Sequence, residues 1–114
     1  MKLTGKAKED FEKWFLKNDF ASKILVTEEH QTWDIEGIWH ELPQSMQYGV
    51  YVDWFDSVGI DVSVSPWRQG GEMLYLFCAI ELGKASHYLL ETSSKSRPEA
   101  RAKAIEKANQ IYNN

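Results

Sequence analysis

Apolar residues recur along this chain at two different intervals, and the change from one to the other divides it into elements. Ala7, Phe11, Trp14 and Phe15 fall at helical spacing, while Lys6, Lys8, Glu12, Lys13 and Lys17 cover the other side. That pattern predicts a helix over residues 4–18, with Thr4 placed to cap it through its hydroxyl. Met46, Val50, Trp54 and Val58 then fall four apart, and Tyr51 and Phe55 widen the stripe. Pro43 suits the first turn of a helix, where its missing N–H costs nothing, and Gly59 suits a left-handed C-cap. A second helix is therefore predicted over 43–58, with Gly49 inside it explained by close packing.

The period then shortens to two. "IDVSVSP", residues 60–66, alternates apolar and polar positions as a half-buried strand does. "WRQGG" reads as a turn. "EMLYLFCAIEL", residues 72–82, is a nearly continuous apolar strand, and a third strand is predicted over 85–92. The helical period returns at the end. Ser96 and Glu99 form a Ser-x-x-Glu capping box, Pro98 sits in the first turn, and Ala100, Ala104, Ile105, Ala108, Ile111 and Tyr112 make the buried face. Arg97, Arg101, Lys103 and Lys107 are expected in water. Residues 20–41 show weak periodicity and read as loop with a short helix near 35–41. The order is helix, irregular segment, helix, three strands, helix. It predicts one α+β domain over 1–114, a three-stranded antiparallel meander with helices packed on one face.

Composition adds little, but charge distribution adds a good deal. The chain has 114 residues and a net charge of −4. No Lys or Arg occurs between Lys23 and Arg68, and Glu28, Glu29, Asp34, Glu36, Glu41, Asp53, Asp56 and Asp61 all lie in that interval. Residues 1–59 carry a net −5 and residues 60–114 a net +1. Trp33, Trp39, Trp54 and Trp67, four of the 5 tryptophans, fall in the same base-free interval. Trp54 belongs to the core. For the rest, two readings stand: further core, or exposed aromatics beside acids, which is how a surface for a basic partner looks. On the second reading Glu28, Glu29, Trp33, Asp34, Glu36, Trp39, Asp53 and Asp56 are the contact residues. No apolar run is long enough to cross a membrane. The charged first residues do not resemble a secretion signal, so a cytoplasmic protein is expected.

Candidate chemistry is sparse. His30, His40 and His87 form no tight ligand pair with one another or with Cys78, so no metal site is expected. Cys78 lies mid-strand in "MLYLFCAI" and reads as a small buried hydrophobe rather than a nucleophile. No phosphate loop, dinucleotide fingerprint or serine-nucleophile motif occurs. Asp53 and Asp56 are one helical turn apart, but nothing gives them a common pocket. The expectation is a binding protein with no turnover and no cofactor.

Two resemblances extend this reading. The order of elements from Met46 to Tyr112, and the basic, alanine-rich end "SKSRPEARAKAIEKA", are similar to double-stranded-RNA-binding domains. That resemblance implies phosphate contacts from Lys95, Arg97, Arg101 and Lys103. "LTGKAKEDFEKWF", "SMQYGVYVDWFDSVGI" and "RPEARAKAIEKANQIYNN" resemble segments of short phage and prophage proteins. That likeness implies a small accessory protein in a bacterial host, of the kind that binds and inhibits host machinery, anti-CRISPR proteins included. The leading expectation is docking on a host protein with a basic, nucleic-acid-handling surface. Nucleic-acid binding through the last helix is the alternative, and an enzyme or enzyme subunit comes third.

Overall fold

The computed structural model describes residues 1–17, 39–83 and 93–114. Among these the elements are α1 (Gly5–Lys17), α2 (Gln44–Ser57), β1 (Ile60–Gln69), β2 (Glu72–Glu81), β3 (Ser93–Ser94) and α3 (Arg97–Asn113). The strands form one antiparallel sheet in the order β1-β2-β3. The class is α+β, with the element order that the periodicity predicts. The strand predicted over 85–92, and residues 20–38 of the irregular segment, lie outside the described residues.

β1 and β2 pair from Ile60↔Glu81 to Gln69↔Glu72, so the hairpin closes on Gly70–Gly71 alone. Both glycines have positive φ, +58° and +89°, as a two-residue type I′ turn requires. The expected turn over 67–71 is therefore too long, and β1 continues through Pro66 to Gln69. Pro66 is tolerated because β1 is an edge of this sheet, where one side of the strand need not donate. Ile60, Val62, Phe77 and Ala79 are buried on the face that α2 and α3 cover. Ser63, Ser65, Leu76 and Cys78 alternate onto the other face.

α2 begins after Pro43, whose carbonyl accepts from the Met46 and Gln47 N–H groups, and ends at Gly59 with φ +84°. Val50, Tyr51, Trp54 and Phe55 are buried, as the stripe predicts. Met46 and Val58 are exposed instead, because the two ends of the helix run past their neighbours. Gly49 faces open space, with nothing within 4 Å of where a Cβ would stand. Close packing does not account for it.

α3 lies on β1 and β2 through Ala100, Ala104, Ile105 and Ala108, all fully buried. Small side chains here let the helix approach the sheet closely. Ser96 caps it, accepting from the Glu99 N–H at 3.3 Å. α1 packs through aromatic rings on α2 and on Trp39 ahead of it: Phe11 lies 4.9 Å from Tyr51 and 5.4 Å from Trp39, and Phe15 lies 5.4 Å from Trp39. The expected Thr4 cap is replaced. The Thr4 hydroxyl accepts from Asn109 Nδ2 at 3.0 Å, and the Ala7 N–H donates to Asn113 Oδ1 at 2.8 Å. α3 thus caps α1 with its own side chains. Gly5 makes room: its φ is +58°, and a Cβ there would stand 3.4 Å from the Asn113 amide.

Candidate functional site: an acidic corner and a basic end

Asp53 and Asp56 lie on the last turns of α2, and Asp61 is the second residue of β1. The chain reverses between them at Val58–Gly59, so all three carboxylates meet at one corner. Asp56 is held above the usual carboxylate range, first by partial desolvation and then by the charges of Asp61 and Asp53. Its place near the C-terminal end of a helix adds an unfavourable dipole. Among the described residues, none of the three is in an ion pair.

Two apolar side chains stand in this corner. Leu82 donates its N–H to the Gly59 carbonyl at 2.8 Å, which brings the end of β2 to the turn after α2. Leu82 is 63% exposed and Val58 39%. Two exposed apolar residues and three carboxylates of one sign thus lie around this turn. Val58, expected in the buried stripe, is exposed at the end of α2, and Leu82 follows the last residue of β2.

The basic residues gather at the start of α3, and most have partners. The Arg97 guanidinium lies 4.9 Å over the Tyr75 ring, and that of Arg101 5.6 Å over Tyr48. Arg101 also donates to Gln44 Oε1 at 3.4 Å. Lys103 pairs with Glu99 at 3.1 Å and lies 6.0 Å over Phe77. Lys95 is exposed. The expectation that Arg97 and Arg101 stand free in water is therefore corrected: both are half-buried, spread over tyrosine faces. Burial holds the Tyr48 phenol above its usual range, against the opposing pull of Arg101.

Of the residues expected to contact a basic partner, Asp53 and Asp56 are exposed and come together, joined by Asp61. Trp39 does not join them. It is 4% exposed and enclosed by Phe11, Phe15 and Tyr51, so it belongs to the core. The rings that enclose it come from α1, more than twenty residues earlier in the chain, and from α2. Glu28, Glu29, Trp33, Asp34 and Glu36 lie outside the described residues. Among the described residues, Trp67 is instead the exposed tryptophan, at 52%, on the hairpin.

Cys78 was expected to be buried. It is half-buried, because it sits on the sheet face away from α2 and α3, with its sulfur 3.0 Å from the Ser63 hydroxyl. Among the described residues, no three His, Cys, Asp or Glu side chains converge on a point that could hold a metal ion. No helix among them is long and apolar enough to cross a membrane. Compared with family models, curated proteins and solved structures, the chain matches none of them.

Proposed function

We propose that this protein is a binding module without turnover, which docks its acidic corner on a basic protein surface. The observation that carries the reading is the cluster of Asp53, Asp56 and Asp61, none of them in an ion pair, at the turn where Val58 and Leu82 are exposed. An apolar centre with a charged border is the anatomy of a protein interface. Like charges held together raise one another's energy, and a cationic partner relieves that strain on contact. A nucleic acid has the wrong sign for this corner. A host protein that handles nucleic acid has the right one, and an acidic inhibitor would occupy the path of the phosphate backbone there. The run Glu28, Glu29, Asp34 and Glu36 carries the same sign.

A second reading has one observation in its favour. Lys95 stands just ahead of α3, and Arg97, Arg101 and Lys103 lie in its first two turns, near Tyr75 and Tyr48; such a group suits a phosphate backbone.

Two variants and one assay separate the readings. In a triple variant, Asp53→Asn, Asp56→Asn and Asp61→Asn, association with a captured host partner is expected to slow about tenfold and lose most of its salt dependence. Leu82→Ser should raise the off-rate instead. The unaltered protein should leave duplex RNA and single-stranded DNA unshifted at micromolar concentration, near ~150 mM salt. Partner capture unchanged in the triple variant but lost with Arg97→Ala and Arg101→Ala would overturn the proposal in favour of the second reading.

A further inference from the structure

The two ends of β1 carry opposite charge. At its start, Asp61 joins Asp53 and Asp56 at the turn where Val58 and Leu82 are exposed. At its far end the hairpin runs past the helices. Arg68 and Met73 are cross-strand partners close to the Gly70–Gly71 turn. They share the face that α2 and α3 cover farther back, where Val62 and Ala79 are buried, yet both are exposed. Trp67, on the opposite face of the same tip, is exposed as well.

The charges at this tip are mostly positive. Lys95 follows β3, whose Ser94 pairs with Tyr75, so it brings a second exposed cation to the hairpin end. Among the described residues, neither Arg68 nor Lys95 is in an ion pair. Arg97, held over Tyr75, adds a third positive charge, and Glu72 one negative. The hairpin end is the reverse of the acidic corner: exposed apolar side chains again, with charge of the opposite sign.

One molecule cannot bring its own two ends together. Asp61 and Arg68 are fixed on one paired strand, about 23 Å apart at the rise of a β-strand. That is more than two Debye lengths at physiological salt, each about 8 Å. Neither end neutralises the other, so the complement of each comes from a separate molecule. Every copy of this chain carries both halves of the match.

We propose that the hairpin end of one copy docks on the acidic corner of a second copy, head to tail. The proposal rests on the reading of the acidic corner as a docking surface, and names what occupies it when no host protein does. The contact is heterologous, so each pair keeps one unused end of either kind, and assembly continues until it closes into a ring. Its small apolar area and reliance on charge place it among weak, transient interfaces. Self-association and host docking use the same carboxylates and exclude one another.

Sedimentation of the intact protein over a range of concentrations reads the contact. At low salt the weight-average mass should rise above that of one chain with a dissociation constant of roughly 0.1–1 mM. In about 0.5 M salt it should return to the monomer value. Two variants keep one end each. Asp53→Asn with Asp56→Asn and Asp61→Asn keeps the hairpin end, and Arg68→Glu with Lys95→Glu keeps the corner. Each alone should sediment as a monomer. An equal mixture should form a dimer and stop there, because the only matched ends are then occupied. The Trp67 indole resonance, assigned by its absence from Trp67→Phe, locates the contact. In the labelled corner variant it should move and saturate as the unlabelled hairpin variant is added.

An intact protein that stays monomeric at about 1 mM in low salt overturns the proposal. So does a mixture that stays monomeric while both variants keep the parent's unfolding midpoint. Association of either variant alone also overturns it, in favour of a symmetric contact through another face. These results leave host docking standing, since that reading falls only if the corner variant still captures the host partner as the parent does.

Discussion

The acidic corner and the basic end are built from similar numbers of charges, yet they treat those charges in opposite ways. At the start of α3, Arg97, Arg101 and Lys103 each find a ring, and two of them also find a polar partner. At the end of α2, Asp53, Asp56 and Asp61 find only one another. A charge spread over a tyrosine face holds two elements together and must be released before it can serve a ligand. A carboxylate crowded by its own kind contributes nothing to the fold. The difference separates residues that maintain the structure from residues left for something outside it.

The largest test removes the support beneath the acidic corner. Trp54 is 1% exposed and packs on Phe55, Phe11 and Tyr112. Trp54→Ala should lower unfolding stability by about 3–5 kcal/mol in a denaturant titration. A loss below about 1 kcal/mol would mean that the corner is not rigidly mounted, and the comparison would lose its basis. Next comes Arg101→Ala, which removes a cation–ring contact and a hydrogen bond between α3 and α2. It should lower stability by about 0.5–1 kcal/mol. No change would place Arg101 in the same class as the free carboxylates.

Two smaller changes should act in the other direction. Gly49→Ala fills open space on the exposed side of α2 and should stabilise the protein by about 0.5–1 kcal/mol, read as a raised midpoint of thermal unfolding. Asp56→Asn should give a slight gain that depends on pH. The pKa of Asp56 is raised on folding, so the folded state holds its proton more tightly than the unfolded chain does. The associated stability is present below the unfolded carboxylate value and lost as pH rises through the folded one. The variant should therefore exceed the parent at neutral pH and converge with it in acid. A difference that persists unchanged below the carboxylate range would show that electrostatics at the corner is not its cause.

Elements marked by local chemistry were legible in the chain. Pro43 and Gly59 bound α2, Ser96 caps α3, and the glycine pair turns the hairpin, because each acts within a few residues of itself. What could not be read depends on partners far apart in sequence. Trp39 looked available for contact until Phe11 and Phe15 closed over it. Arg97 and Arg101 looked solvated because nothing near them announces Tyr75 or Tyr48. β1 looked broken at Pro66, since only the sheet order shows that this strand lies at an edge. The candidate site was half legible: Asp53, Asp56 and Asp61 stood out by sign, while Leu82 acquired meaning only when its backbone met the Gly59 turn.

The asparagine clasp between α3 and α1 has a consequence for the order of events in making the protein. α1 leaves the ribosome early, but Asn109 and Asn113, which satisfy its first backbone groups, are synthesised about a hundred residues later. Until they arrive, the first turn of α1 depends on water, although Trp39 and Tyr51, the rings that Phe11 and Phe15 pack against, are made earlier. A short lone helix is marginal in water, and contacts of such long sequence separation slow the approach to the native state. The nascent chain therefore carries an apolar, unfinished α1 until α3 is made, and α1 is completed only when α3 docks on it.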